Sequence, residues 1–95
     1  MKYCWQYSRS ARKHWIDDGE ILINKKTHKI LNRWTIYDTT PYGQYHQRKY
    51  GYDLYKREKK LMNRKTVKEL KEYVKTEEEK IGNKIVYEEE YYSHI

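Results

Sequence analysis

The sequence predicts an α+β fold: a small antiparallel sheet of two hairpins plus N- and C-terminal strands, with one amphipathic helix packed on one face. Three observations support this class. Apolar and polar residues alternate near both ends of the chain, two β-rich stretches are each interrupted by a polar turn, and one segment has a helical apolar period. At 95 residues, the chain is expected to form a single domain, residues 1–95.

An N-terminal strand is predicted from the stretch KYCWQYS, whose alternation puts Tyr3, Trp5 and Tyr7 on one side. The next stretch, SRSARKHWIDDGE, breaks this alternation. It is predicted to be a loop or a short helical turn that ends in an Asp-Asp-Gly turn.

A first hairpin is predicted from EILINKKTHKILNRWTIYD, with β-rich arms at 20–25 and 29–37 around a polar tip. In the second arm, Trp34 and Ile36 share one face, while Tyr37 lies on the other. Both faces carry apolar groups, so this arm is expected to be a central strand.

A long loop is predicted at residues 39–51, TTPYGQYHQRKYG, which contain the only proline and have no sustained apolar period. Loops of about a dozen residues are uncommon in compact domains unless they are functional or mobile. The stretch YDLYKREKKLMNRK then predicts a second hairpin, with a turn near residues 58–60 and a short return through Leu61 and Met62.

A helix is predicted over about residues 66–79. Thr66 and Glu69 fit the T-x-x-E capping box, and Leu70 and Val74 lie on one apolar stripe. The I-G-N triplet that follows supplies the stop. Beyond it, the alternating stretch KIVYEEEYY predicts a last strand.

The expected core is unusual because aliphatic residues are scarce. Leu, Ile and Val number sixteen and Phe is absent, whereas the chain has three Trp and twelve Tyr. Each aromatic side chain can bury about 150–250 Å². A core built largely of tyrosine rings is therefore expected, with the hydroxyls directed to its rim.

Composition also indicates a cellular setting. A single cysteine, Cys4, cannot form an internal disulfide and is typical of a reducing compartment. No apolar run reaches the roughly 18 residues that span a bilayer, and the first residues lack a signal-peptide core. A cytoplasmic protein without membrane contact is expected. High Lys, Tyr, Ile and Asn with one Ala and one Pro are typical of AT-rich genes, which suggests a phage or mobile-element origin.

Charge is segregated along the chain. Residues 1–75 carry a net charge of +11, whereas residues 76–95 carry −4. Opposite charges attract, so the acidic end is expected to fold back on the basic body and to neutralise part of its positive charge.

Catalytic and metal-binding patterns are not evident. The four His are scattered without metal-ligand spacing, and no His adjoins Cys4 in the sequence to form a Cys/His nucleophile. The carboxylates at residues 17–18 fit turn chemistry, and those at 88–90 fit a solvated strand edge. A non-enzymatic protein with no catalytic residues, metal or cofactor is expected.

The feature of the sequence that best indicates a function is a basic, tyrosine-rich stretch. Lys and Arg neutralise phosphates, and tyrosine rings stack on unpaired bases, about 1–3 kcal/mol for each base. Nucleic acid or a nucleoprotein complex is the predicted partner. The predicted contact residues are Arg9, Arg12, Lys13, Tyr42, Tyr45, Arg48, Lys49, Tyr50, Lys56, Arg57, Lys59, Lys60, Arg64 and Lys65.

A second class of function accounts for the same residues. Tyr, Trp and Arg dominate protein–protein hot spots, so the alternative is an inhibitor of the anti-defence or host-takeover type that blocks a host protein through the same surface. For Tyr42, Tyr45 and Tyr50, a role in the core and a role at an interface both stay open. A homodimer through a sheet edge is a further possibility.

A partial resemblance favours nucleic acid. The segment from Tyr52 to Val74, a predicted strand, turn and strand followed by the T-x-x-E-L-K-E-Y helix, resembles the hairpin-plus-helix units in the DNA-contacting modules of homing endonucleases. It lacks the glycine that those units usually place in the hairpin turn. The resemblance implies contact with nucleic acid through this part of the chain.

Overall fold

The computed structural model describes residues 2–16, 22–44 and 49–86, which form an α+β structure as predicted. In chain order the elements are β1 (Lys2–Cys4), β2 (Gln6–Ser8), β3 (Lys13–Ile16), β4 (Leu22–Asn24), β5 (Lys29–Leu31), β6 (Trp34–Asp38), β7 (Tyr52–Lys56), β8 (Lys59–Arg64), α1 (Val67–Lys80) and β9 (Lys84–Val86).

Five of the described strands form an antiparallel sheet in the order β2-β3-β6-β7-β8. β6 lies at its centre, as predicted from the apolar groups on both of its faces. Side chains alternate between the two faces. The inner face, which packs against α1, carries Ile36 opposite Leu54, and the outer face carries Tyr37 and Tyr55.

Two shorter pairings accompany this sheet. β1 pairs with β9 in parallel, with Tyr3 opposite Ile85. β4 and β5 form an antiparallel hairpin, called here the small hairpin, in which Ile23 lies opposite Ile30. Both of these isoleucines are exposed, at 52% and 63%.

The first half of the chain differs from the prediction in three places. The strand predicted across KYCWQYS is divided at Trp5, whose buried side chain enters the core. β3 lies where a loop or helical turn was expected, because the polar His14 on the inner face hides the alternation of this strand. The arm predicted at 29–37 is divided between β5 and β6, and Arg33 at the break reaches Glu78 of α1.

The second half agrees more closely. β7 and β8 form the predicted second hairpin around a turn at Arg57, which has a φ of 56°. Residues 45–48 of the predicted long loop lie outside the described residues. The ends of that loop are joined by Thr39, whose N–H donates to the carbonyl of Gly51 and whose hydroxyl donates to the carbonyl of Tyr50.

The helix and its caps are confirmed, with Val67–Lys80 observed against 66–79 predicted. The Thr66 hydroxyl accepts a hydrogen bond from the Glu69 N–H at 3.3 Å. At the other end Gly82 adopts a φ of 85°, and the I-G-N triplet ends the helix as expected. β9 begins the predicted last strand. The rest of that strand, the glutamates at 88–90, the expected folding back of the acidic end, and the Asp-Asp-Gly turn all lie outside the described residues.

The expectation of a tyrosine-rich core is wrong for the described residues. The buried core lies between the inner face and α1, and tryptophan and aliphatic side chains fill it. Tyr52 and Tyr73 only pack against it, partly exposed. A buried phenol must find a hydrogen-bond partner for its hydroxyl, which favours the rim. The core residues are Trp5, Ile16, Trp34, Ile36, Leu54, Leu70, Val74 and Ile85.

Within the described ranges, no helix has the length and apolar character that a membrane span requires.

Candidate nucleic-acid interface

Two rows of side chains cross the outer face of the sheet, and all of their members are polar or aromatic. From β2 to β8, one row consists of Ser8, Lys13, Tyr37, Asp53 and Asn63, and the other consists of Gln6, Trp15, Thr35, Tyr55 and Lys60. The strand register therefore sets aromatic rings beside cationic side chains in the middle of this face.

Tyr37 and Tyr55 form the centre of the outer face. Their ring centroids are 5.4 Å apart, with an interplanar angle of 89°. This edge-to-face arrangement is favourable for aromatic pairs. Both side chains are half-buried, so each ring is held in place while part of its surface stays accessible.

A cleft of about 450 Å³ opens beside this tyrosine pair. It is lined by Lys29, Tyr37, Tyr55, Arg57 and Glu58. Lys29 comes from β5, so the small hairpin forms one side of the cleft and the turn between β7 and β8 forms another. The cleft is therefore aromatic at its floor and carries two cationic groups at its edges. We call it the tyrosine cleft.

Two contacts fix the walls of the tyrosine cleft. The Asn24 side-chain amide donates a hydrogen bond to Oε1 of Glu58, which joins the small hairpin to the β7–β8 turn. The Arg57 N–H donates to the carbonyl of Arg33 at 3.0 Å. The Glu58 carboxylate is thereby engaged as an acceptor, and the backbone that carries the Arg57 guanidinium is anchored.

Lysines extend the positive field beyond the cleft. Lys13 Nζ lies 5.2 Å from the centre of the Trp15 ring. Partial burial lowers the pKa of Lys13, and the nearby charge of Lys29 lowers it further. On the far side, Lys60 Nζ lies 3.5 Å from Oδ1 of Asp53. Among the described residues of this face, the cations of Lys13, Lys29, Arg57 and Lys60 thus stand against the carboxylates of Asp53 and Glu58.

The residues predicted as contacts divide between two sides of the molecule. Lys13, Arg57 and Lys60 lie on or beside the outer face, as described above. Three others, Arg9, Arg12 and Tyr42, line a polar cavity at one end of the inner face, called here the end pocket. Among the residues that the structure describes, its lining is Tyr7, Arg9, Ser10, Arg12, His14, Asp38, Tyr42 and Tyr52.

The remaining predicted residues join neither group. Lys56 Nζ lies 5.2 Å from the Trp34 ring on the inner side, and the exposed Lys59 lies opposite Lys56 in the hairpin. Arg64 donates to the carbonyl of Asn63. Lys65 is exposed beyond the end of β8.

Tyr50 makes several contacts that hold parts of the long loop together. Its hydroxyl donates to Oε1 of Gln44 at 2.7 Å, its carbonyl accepts from Thr39 and Asn63, and Lys49 Nζ lies 5.3 Å from its ring. These contacts give the half-buried Tyr50 a structural role. The other two predicted loop residues, Tyr45 and Arg48, lie outside the described residues.

Four residues of the tyrosine cleft were not predicted as contacts: Lys29, Tyr37, Tyr55 and Glu58. The alternation in WTIYD and YDLYK puts both tyrosines on the face opposite Ile36 and Leu54, so a signal for them was present. Lys29 had no such signal, because only the tertiary position of the small hairpin brings it to the cleft.

No protein-family model, curated protein or solved structure matches this chain. Across residues 2–16, 22–44 and 49–86, no cluster of three or more His, Cys, Asp or Glu side chains could hold a metal ion. The function is therefore inferred from the geometry of the surface.

Proposed function

We propose that this protein is a non-enzymatic binding protein that holds a single strand of nucleic acid across the outer face of its sheet. The observation that carries the proposal is the tyrosine cleft, where Tyr37 and Tyr55 are partly accessible and Lys29 and Arg57 flank them. The hydrophobic core packs against the inner face, so these rings are not required to fill it.

Stacking supports an unpaired strand as the ligand. Every base has a π-face, and stacking on an aromatic side chain contributes about 1–3 kcal/mol for each base without selecting a sequence. Bases within a duplex stack on one another and have no free face to offer. The Tyr37 and Tyr55 rings, held 5.4 Å apart, suit bases turned out from a flexible backbone.

Charge supports a polyanion. The protein has a net charge of +7, and Lys13, Lys29, Arg57 and Lys60 place cations along the outer face. Cations that neutralise phosphates release condensed counterions, which gives affinity that falls as salt rises. The tyrosines would contact bases while the flanking cations contact the phosphates on either side.

The test is binding of a fluorescently labelled single strand with unphosphorylated ends to the protein and to its Tyr55→Leu and Tyr55→Phe variants. Tyr55→Leu is expected to weaken binding roughly 5- to 150-fold, which corresponds to one lost stacking contact. Tyr55→Phe keeps the ring and is expected to bind like the original chain. A duplex of the same sequence should compete poorly.

The matched control is Tyr42→Leu, because Tyr42 is 77% exposed and lines the end pocket rather than the tyrosine cleft. It should leave affinity unchanged. Absence of binding at low salt, or equal losses from Tyr55→Leu and Tyr42→Leu, would contradict the proposal.

One observation favours the alternative, a protein that blocks a host protein. Ile23 and Ile30 lie opposite each other on the small hairpin and are 52% and 63% exposed. Exposed apolar pairs of this kind are typical of protein contacts. If no nucleic acid binds, a nuclease-treated pull-down from the native host should retain a protein with the original chain and lose it with the Ile23→Ser/Ile30→Ser variant.

A further inference from the structure

Glu58 places a carboxylate in the lining of the tyrosine cleft, together with the Tyr55 ring and the cations of Lys29 and Arg57. A negative charge repels the phosphates that the two cations attract. For a strand held by phosphate contacts and stacking, this carboxylate is therefore unfavourable unless it meets a part of the strand that offers hydrogen-bond donors. Bases carry such donors along their edges, whereas the phosphates that link nucleotides offer only acceptors.

The backbone of the β7–β8 turn fixes the position of Glu58. The paired residues Lys56 and Lys59 close the hairpin, so the turn between them consists of residues 57–58. Arg57 has a φ of 56°, and its N–H donates to the carbonyl of Arg33 at 3.0 Å. A turn this short, anchored to a residue outside the hairpin, leaves little freedom to the backbone that carries the Glu58 side chain.

A hydrogen bond from Asn24 orients the Glu58 carboxylate. The amide nitrogen of Asn24 donates to Oε1 of Glu58. The amide oxygen accepts from the N–H groups of Lys26 and Thr27 at 2.9 and 3.1 Å, so both ends of the amide are held. A carboxylate has about four lone-pair sites, and a single bond from Asn24 leaves it able to accept others. A neutral amide at position 58 would accept the same bond, so this link does not require a negative charge.

Guanine is the base whose edge best matches a carboxylate. Its Watson–Crick edge presents the ring N–H and the exocyclic amino group side by side, as two donors that match two carboxylate oxygens. Adenine and cytosine present one amino group next to a ring nitrogen that accepts, and thymine presents one N–H between two carbonyls. A carboxylate only accepts hydrogen bonds, so each of these other edges sets at least one acceptor against it. Unstacked bases in single strands expose this edge to a protein.

We propose that Glu58 selects guanine for the tyrosine cleft, with the base stacked on Tyr55 and its Watson–Crick edge on the carboxylate. This inference rests on the proposed function, because it requires a strand in that cleft. Stacking holds any base, and Lys29 and Arg57 hold any phosphate, so selection of one base falls to the Glu58 carboxylate. The ligand is then a single strand that contains guanine, and Asn24 is a positioning residue for Glu58.

The test compares short thymidine strands that carry one central guanine, inosine, adenine or 7-deazaguanine, measured by fluorescence anisotropy. The guanine strand should bind roughly 5- to 150-fold more tightly than the adenine strand, the discrimination expected for one bidentate contact. Inosine lacks the amino group of guanine and should bind more weakly than guanine. 7-Deazaguanine keeps both donors and loses only a ring acceptor on another edge, so it should bind like guanine.

Glu58→Gln is the central variant, because it keeps an oxygen for Asn24 but replaces the other acceptor by an amino group, which opposes the donors of guanine. The preference for guanine over inosine should disappear. Glu79→Gln is the matched control, because it removes the same charge from an exposed position on α1, and it should retain the preference. The ratio of the two affinities is the readout, since either substitution removes a negative charge and strengthens binding of every strand. Both side chains are exposed, and far-ultraviolet circular dichroism establishes that each variant is folded.

The outcomes separate this inference from the proposed function. If an all-thymidine strand binds and loses affinity in Tyr55→Leu, while guanine, inosine and adenine strands bind equally, the proposed function stands and selection by Glu58 is wrong. A guanine preference that persists in Glu58→Gln, or that is lost equally in Glu79→Gln, would also refute selection by Glu58. A preference that 7-deazaguanine abolishes would refute it too, and would assign the reading of guanine to Arg57. Absence of binding by every strand would overturn both proposals.

Discussion

The indole Nε1 of Trp34 donates a hydrogen bond to Oε1 of Glu78 across 2.6 Å, and both residues are 1% exposed. The same carboxylate accepts from Arg33 Nε at 2.7 Å and from Asn83 Nδ2 at 2.8 Å. A buried carboxylate is costly unless several donors satisfy it. Here it ties the central strand to the end of the helix and to the segment that leads into β9.

Glu78→Ala is expected to destabilise the fold by about 3–5 kcal/mol, the cost of removing one partner from a buried pair. It would also leave the buried Trp34 N–H without this acceptor. Glu78→Gln retains one oxygen acceptor and should cost less. Urea unfolding measures both, and Glu79→Ala serves as the control because Glu79 is an exposed neighbour on the same helix. Equal stabilities of the Glu78→Ala and Glu79→Ala variants would contradict this role.

Stability is expected to fall as pH decreases from about 6.5 to about 4, because of His14. The unfolded imidazole takes up a proton near pH 6.5, whereas the folded one does so only near 4. The unfolded chain therefore binds more protons in this window, and lower pH favours it. His14→Gln should flatten this part of the profile in urea unfolding. Parallel profiles for the two proteins would show that His14 is not the responsible group.

A second loss of stability is expected at lower pH, from Glu78. Burial opposes its ionisation, but the hydrogen bonds from Arg33, Trp34 and Asn83, with the Arg33 charge, lower its pKa below the ordinary 4.5. Its contribution is present above the unfolded pKa and is lost as pH falls through the folded value. His14→Gln should retain this acid-side loss, and Glu78→Gln should remove it.

Gly51→Ala is expected to destabilise the protein by more than about 1 kcal/mol. Gly51 has a φ of 70°, and a Cβ built there would lie 2.6 Å from the carbonyl oxygen of Arg64 on the neighbouring strand. Gly43 also has a positive φ, of 82°, but a Cβ there meets no atom within 4 Å. Thermal unfolding of both variants separates the two effects. Gly43→Ala should show backbone strain alone, so a loss as large as that of Gly51→Ala would exclude the steric contact.

Lys29→Gln should reduce the salt dependence of single-strand binding. Each phosphate neutralised contributes about 0.7 to the slope of log affinity against log salt for single strands. The slope should therefore fall by about 0.7 between about 50 and 200 mM salt, which anisotropy titrations measure. Lys68→Gln removes an exposed charge from α1, which covers the inner face. It should leave the slope close to its original value, and an equal fall in both variants would indicate a nonspecific effect of net charge.

Elements with a local signature could be predicted from the sequence. The helix carries its capping residue, apolar stripe and stop within about twenty residues, and the β7–β8 hairpin carries alternation and a turn in one stretch. Glu78 also had a signal, because it follows Val74 by four positions on the apolar stripe. Residue type could not reveal that Glu78 is buried, because the neighbouring Glu79 carries the same charge and is exposed.

Features set by tertiary pairing could not be predicted in the same way. The polar His14 hides the alternation of β3, and the separation of β5 from β6 depends on a contact between Arg33 and α1. The expected contact surface contained Arg57 and Lys60 but also Arg9 and Arg12, which the fold carries to another side. Residues that are adjacent in a strand lie on opposite faces of the sheet, because successive side chains point to opposite sides. Closeness in sequence therefore does not place them on one surface.

The parallel pairing of β1 with β9 constrains the order in which this chain can fold while it is being synthesised. Lys2 and Lys84 are partners in that ladder, so β1 leaves the ribosome well before the strand with which it pairs. Trp5 and Ile85, both members of the core, are subject to the same delay. Closing so long a span is entropically unfavourable and slow. A nascent chain stalled before residue 84 should therefore expose the Trp5 indole to solvent, even with the β7–β8 hairpin and α1 already formed.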